Sequence, residues 1–459
     1  MIISYTTQRR TYNIVPPGCV QLPGLNTFTV IVGKNGTGKS RLLQGLVLET
    51  LKDRINPEHF DREERQGRFN IIRRSIEYID MPKKIICIST SPFDKFPLLR
   101  KGEGSPIYSY LGLRGLPSQN LSTAYMSRIM ASLIRSAATS PGKSTEITDV
   151  LHYLGYDGVM RCTFFIGLPI KIQDELIRTG GNSDSVDDLL AHPFSPSSDI
   201  SNALRQLKES NAEDLARAIE YIKSSRQYAR KPRIEVFIDR DGVHTIDIDR
   251  QDVIALVSSG LARLREVSLR KPDHGTDTET FRLSEASSGE QSVMMGLLGI
   301  ASQIEDYSLV CIDEPEVCLH PEWQERYVHL LLETFSNRRG CQFIIATHSP
   351  QVVAELPQSN CFVMNMEDGH AKESRHLSRR SIDFQLASVF RAPGHNNEFL
   401  NRTAINLFAR VSQKKIFEKA DRESLQLLVQ IKEAIRASDP LRDLIVALEE
   451  MKRTYGGHN

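Results

Sequence analysis

The sequence predicts an α/β fold: a mixed sheet flanked by helices, interrupted by a helical lobe and followed by a helical tail. Three observations carry this reading. First, three short apolar runs suit buried strands, and each ends in a distinctive group: residues 28–32 run into a glycine-rich loop, 307–312 into two acids, and 343–347 into a histidine. Second, the amphipathic stretch 41–51 follows the first run, and roughly 35 residues separate the last two ends, room for a helix and the next strand of an α/β sheet. Third, the segment between the two halves of this pattern and the C-terminal segment both carry helical spacing.

The glycine-rich loop is GKNGTGKS, residues 33–40. Glycines 33, 36 and 38 let successive backbone N–H groups point inward at a triphosphate, with Asn35, Gly36, Thr37, Gly38 and Arg41 around it, and Lys39 neutralises the β/γ oxygens. The Ser40 hydroxyl suits Mg²⁺, and the helix N-terminus adds partial positive charge. A glycine-rich turn that binds nothing is the plain alternative. The strand before and the helix after favour ATP.

Asp313, at the end of its apolar run, suits Mg²⁺ held through water, and Glu314 is placed to polarise an attacking water. His348 ends the next run, where an imidazole can contact a γ-phosphate and sense it. Ahead of the acids, residues 283–292 read LSEASSGEQS, a small turn opening a helix whose free N–H groups suit a phosphate.

The ordered set GKNGTGKS, ASSGEQS, LVCIDEPE and IIATHSP resembles the ABC-type ATPases, in the branch shared by SMC, RecF and OLD-like proteins. The resemblance implies that Ser287, Ser288 and Gly289 cap the ATP held by a partner copy, so that the active form is at least a homodimer or a higher oligomer. It implies catalytic roles for Glu314 and His348, with Ser40 and Asp313 on the metal. One departure is a serine for the first glycine of the usual leucine-serine-glycine-glycine order, which leaves the backbone donors intact. The LHP at 319–321 resembles the RecF/OLD branch. His320 there is read either as a trans contact or as a helix-capping residue.

Composition sets bounds. The 459 residues suit about two or three domains. A net charge of +1 gives no global case for nucleic acid. Seven cysteines without a CxxC pair read as free thiols of a reducing compartment. With no apolar run near ~18 residues and no signal-peptide core, a cytoplasmic location and no membrane partner are expected.

Along the chain, residues 1–96 form the first half of the ATPase head. Within it, 84–96 (KIICISTSPFDKF) holds the place of the water-sensing Gln loop but lacks a glutamine. Ser91 and Asp94 are the candidates, with an Asx-capped turn at Asp94 as the alternative. Residues 97–230 read as a compact helical insertion, with helices at 121–138 and 200–226 and a loop at 183–198. Its Arg100, Lys101, Arg114, Arg128 and Arg135 suit a solvated face better than a nucleic-acid surface. Residues 231–385 resume the head, with a hairpin turning at Arg240-Asp241-Gly242, a helix at 251–266 and a polar loop at 271–278.

Residues 386–459 read as a helical tail for partner docking or oligomerisation, with helical spacing at 386–409 and 422–452. Its apolar stripe of Leu425, Leu428, Ile431 and Ile435 is to be buried against a partner, another copy or, alternatively, the chain's own head. The Toprim nuclease of OLD-like proteins needs a DxD pair, which the about 110 residues after His348 lack, and His370 and His395 have no metal-ligand companions. No nuclease is expected in this chain. A head with a short insertion and a helical tail resembles the ATPase subunits of Septu-type anti-phage systems, also found beside some retrons. STSPFDKF, YSYLGLRG (residues 108–115) and SSGEQS are the shared features. The resemblance implies an HNH-type nuclease subunit as partner, and DNA, directly or through that nuclease, or retron RNA–DNA. A RecF-like DNA-repair ATPase that binds DNA directly is the alternative, and a transporter subunit is disfavoured by the missing Gln loop and the LHP.

Overall fold

The computed structural model describes residues 1–8, 10–19, 24–60, 74–99, 105–114, 116, 121–181, 183–191, 200–201, 204, 207, 212–227, 233–271, 280–317 and 319–455. The main sheet has seven strands. Their order is Ala371–Glu373, Cys361–Asn365, Thr27–Val32, Gln342–Ala346, Leu309–Asp313, Ile85–Ser89 and Tyr108–Gly112. All neighbours run parallel except the antiparallel edge pair formed by Ala371–Glu373 with Cys361–Asn365. The central strands are buried along their whole length, as strands covered by helices on both faces must be.

This sheet corrects the expected division of the chain. Tyr108–Gly112 pairs with Ile85–Ser89 in register, so the head's sheet runs beyond residue 96. The 97–230 insertion is not purely helical either. Met160–Ile166 is the central strand of a five-stranded antiparallel sheet ordered Thr280–Arg282, Ala262–Arg270, Met160–Ile166, Arg233–Asp239 and Gly242–Thr245. Its pairing partners lie about 70 to 110 residues downstream, and a strand whose stability comes from such distant neighbours carries little local signal. The 233–250 hairpin forms as read, with Asp239 opposite Gly242. The 251–266 reading holds only in part: the helix is Arg250–Ser258, Gly260 follows in a left-handed turn at φ 72°, and Ala262–Arg270 is a strand.

Within the insertion, Leu121–Thr139 and Ala212–Gln227 are helices. Ser183–Ala191, read as loop, is also helical. Asp187 and Asp188 of this helix are exposed, and residues of these types suit turns as well, so composition alone could not separate helix from loop. Residues 192–198 of that loop, most of the polar loop at 271–278, and Arg100, Lys101 and Cys318 lie outside the described residues. Arg114 and Arg128 donate to backbone carbonyls of Asp94, Phe96 and Gly112, so these guanidinium groups are structural ties. The six described cysteines are free thiols. No helix among the described residues is long and apolar enough to cross a membrane.

The tail is the clearest departure from expectation. The expected helices 386–409 and 422–452 are interrupted: a π-turn at Gln385–Val389 and the Pro393-Gly394 break precede Glu398–Lys414, and Ser438-Asp439-Pro440 separates Lys419–Ile431 from Pro440–Tyr455. The Leu425, Leu428, Ile431 and Ile435 stripe expected to dock elsewhere is buried inside the tail itself. It packs with Leu400, Leu407, Val411, Leu441, Ile445 and Leu448 as a separate small core. Arg410 completes it by donating to the buried Asp421 carboxylate at 2.8 Å. Deleting residues 420–459 should therefore expose half of this core on Glu398–Lys414 and drive aggregation, whereas deletion from residue 398 onward should leave a soluble head. Size-exclusion chromatography of the two truncations checks this, and a monodisperse 420–459 deletion would contradict the shared core.

Candidate nucleotide-binding site

Parallel register builds the site. Ile31, Ala346 and Asp313 stand level across three adjacent strands, since Asp313 is opposite Ala346 and Ala346 opposite Ile31. The next residues of each strand emerge together at the carboxyl edge of the sheet, the usual ligand edge of such folds. Hydrogen bonds continue the ladder past the strands: the Thr347 N–H donates to the Ile31 carbonyl at 3.0 Å, and the Glu314 N–H to the Ala346 carbonyl at 2.9 Å.

Gly36 and Gly38 have φ of 78° and 95°, a region costly for residues with a Cβ. At Gly33 a Cβ would lie 2.9 Å from the Thr37 hydroxyl and 3.1 Å from the Met366 side chain. Thr37 closes the loop by donating to the Lys34 carbonyl at 2.8 Å. Asn35 and Arg41 are exposed. Lys39 opens the Lys39–Leu51 helix and is 5 % exposed. Its Nζ lies 3.0 Å from the Gly33 carbonyl and 2.6 Å from His348 Nε2. Burial pulls the Lys39 ammonium below its ordinary pKa against the attraction of Glu314, Glu316 and Asp313. Burial and then Lys39 likewise lower His348, so the imidazole is neutral and accepts from the ammonium.

Ser40 donates to Asp313 Oδ1 at 3.1 Å. Two hard oxygen donors converge there, and together they fit Mg²⁺, which binds few protein ligands and keeps the rest as water and phosphate. Among the described residues no three His, Cys, Asp or Glu side chains gather as a metal cage. Glu314 turns out of the strand at φ 51°, a left-handed conformation unusual for glutamate, and its carboxylate lies 3.4 Å from His348 Nε2. Five expected residues, Lys39, Ser40, Asp313, Glu314 and His348, thus meet in one cluster.

Ser287, Ser288 and Gly289 stand elsewhere. Ser287 caps the Ser288–Gln303 helix in a reciprocal box with Glu290, accepting from the Glu290 N–H at 3.2 Å while its own N–H donates to Glu290 at 2.9 Å. Ser287 and Ser288 are exposed, and no described hydrogen bond joins them to the chain's own phosphate loop. His320 is the exposed N-cap residue of Pro321–Thr334, yet its side chain makes no capping bond. Asp94 follows the Asx-turn reading. It is 2 % exposed and accepts from the Phe96 N–H at 3.0 Å and the Tyr110 hydroxyl at 2.5 Å. Sequence reasoning passed over Glu316, whose carboxylate accepts from the His348 N–H at 2.5 Å. A third acid beside an acid pair was the available signal.

Residues 169–354 match the family described as "AAA domain, putative AbiEii toxin, Type IV TA system". The match takes in the Ser287 helix, the acids and His348. The chain is similar to protein ea59 of Escherichia phage lambda, 30 % identical over 123 residues that cover 25 % of this chain and 22 % of that one. It is similar to "Retron Vc95 probable ATPase" of Vibrio cholerae serotype O1 biovar El Tor, 29 % identical over 119 residues, 24 % of this chain and 22 % of that one. It thus spans about a fifth of the length of these curated relatives. Among solved structures it is similar to the Smc head domain from Pyrococcus furiosus with an extended coiled coil, bound to the C-terminal domain of ScpA. The TM-score is 0.28 and the identity 14 %, over 81 % of this chain and 95 % of that one.

Burial, with the Glu314, Asp94 and Glu316 charges, raises Asp313 to about 7, and the Ser40 hydrogen bond only partly offsets this. The folded value lies above the unfolded one, so the folded state holds the extra proton. The stability contributed by this group is therefore fully present below about pH 4 and is lost as pH rises to about 7. Asp313→Asn should then stabilise the protein without Mg²⁺ or nucleotide by up to about 4 kcal/mol at pH 8 and by much less at pH 5. Thermal melts at the two pH values check the sign, and a gap that widens toward pH 5 would contradict it.

Proposed function

We propose that this chain is the ATP-binding and Mg²⁺-dependent ATP-hydrolysing subunit of a Septu-like anti-phage defence complex. The observation that carries the ATPase half is the convergence of Lys39, Ser40, Asp313, Glu314 and His348 on one sheet edge. Lys39 and the loop N–H groups hold the β/γ-phosphates. Ser40 and Asp313 would hold Mg²⁺, which when bound would supply positive charge against the phosphoryl oxygens. Glu314 orients and deprotonates the attacking water, and His348 leaves Lys39 to contact the γ-phosphate. The exposed start of the Ser288–Gln303 helix supports a site completed in trans by a second copy, since Ser287 to Gly289 have no described tie to their own phosphate loop. The similarity to a retron-associated ATPase supports the defence setting. In this reading the chain is a cytoplasmic sensor and scaffold controlling a separate HNH-type nuclease. The tail offers the docking surface through its exposed Ile405 and Phe408 rather than through its buried stripe.

Glu314→Gln should keep ATP binding while lowering hydrolysis by at least ~10²-fold, the scale of a lost oriented base. Phosphate release measured beside nucleotide affinity checks this, and near-normal turnover would remove Glu314 from the role. Lys39→Ala should instead lose the nucleotide. Mixing a Ser288→Arg chain with a Lys39→Ala chain should restore part of the hydrolysis, because one hybrid interface keeps both intact halves. Hydrolysis independent of protein concentration would count against the trans site.

A further inference from the structure

We propose that Glu316 is a positioning residue that locks the histidine loop to the acid loop and so sets where His348 stands. The inference rests on the ATPase reading above and adds a residue to it. Glu316 sits two residues beyond Glu314, just after Pro315, and turns back toward the neighbouring strand. One carboxylate oxygen accepts from the His348 N–H at 2.5 Å. The neighbouring Thr347 hydroxyl accepts from the Ser349 N–H at 2.9 Å. Glu316 thereby holds the His348 amide itself, and Thr347 holds the amide that follows.

The lock is needed because His348 lies past the end of its strand. The last ladder bond there is the Thr347 N–H to Ile31, and Ser349 already caps the Pro350–Ala354 helix through the Val352 N–H. Glu316 supplies the bond for the backbone amide in between. From that fixed backbone the imidazole reaches Lys39 Nζ at 2.6 Å and Glu314 at 3.4 Å. Glu314 and His348 are thus held at a set separation by a group that belongs to the Glu314 loop. The carboxylate is also well buried, and its second oxygen has no partner among the described residues. A buried carboxylate with one free oxygen is costly to keep for packing alone. A hydrogen bond to a backbone N–H needs only an acceptor, so a glutamine can replace Glu316 in this role, whereas an aspartate, one methylene shorter, draws back from the amide.

The test compares Glu316→Ala, Glu316→Asp and Glu316→Gln in the full chain, with ATP affinity, KM, kcat and melting temperature measured for each. A misplaced catalytic group costs about 10- to 100-fold in rate, so Ala and Asp should lose that much in kcat with ATP affinity within a few-fold of the parent. Gln should recover most of it. In a His348→Ala background, Glu316→Asp should change kcat little further, because a residue acting through His348 has nothing left to position. Full kcat in Glu316→Asp, equal losses in Asp and Gln, or additive losses with His348→Ala would overturn the proposal. If Glu316→Ala does not fold, the Asp and Gln pair still decides it. A parent chain without hydrolysis would instead refute the ATPase reading, a result distinct from any of these.

Discussion

The in-register parallel pairing of Thr27–Val32, Gln342–Ala346 and Leu309–Asp313 is the constraint on which the site depends. Each strand ends at the same height, so the chain must leave the sheet three times within one small area. It leaves through a phosphate loop, an acid pair and a histidine. A register slip of one residue in any of the three would turn its side chains to the opposite face and carry its functional group out of the cluster. The stacked Phe28 and Phe343 rings, 4.5 Å apart between centroids, help fix that register from within the core.

That convergence creates an electrostatic imbalance. One ammonium, Lys39, faces Asp313, Glu314 and Glu316 in a largely buried space. Burial, reinforced by the excess negative charge, raises Asp313 to about 7, and that same charge gives Lys39, although desolvated, an attraction to its surroundings. A divalent cation beside Ser40 and Asp313 would balance the charge, and a triphosphate would then replace His348 as the partner of Lys39. The contact between Lys39 and His348 satisfies the buried donor. In the proposed ATPase reading, nucleotide binding would require His348 to leave Lys39.

Around this cluster the molecule separates rigid supports from outward-facing parts. Asp94, Tyr110 and Arg114 knit the loop after Ile85–Ser89 to the edge strand, and Thr90 reaches the Glu314 carbonyl at 3.3 Å. Phe93, on the same loop, is 81 % exposed. The tail is self-contained by comparison. Its three helices bury their apolar stripes in one another, and it meets the head through local ties such as Arg391 to Glu367 and Asp368.

The sequence by itself determined the parts whose chemistry is local. GKNGTGKS needs glycines at positions with left-handed φ, apolar runs ending in acids or histidine need buried parallel strands, and the Arg240-Asp241-Gly242 turn needs its hairpin. Each of these is written within a few adjacent residues. What only the tertiary structure decided was whatever depends on a distant partner. Met160–Ile166 is a strand because Arg233–Asp239 and Ala262–Arg270 flank it, and Tyr108–Gly112 is one because Ile85–Ser89 offers a free edge. The amphipathic stripe at Leu425 to Ile435 was plain in the sequence, but a stripe states only that it must be covered, and packing alone chose the tail's own helices as the cover. The same holds for Glu316. Its meaning lies in a hydrogen bond to an amide 32 residues away, and no spacing rule records a bond made between two loops.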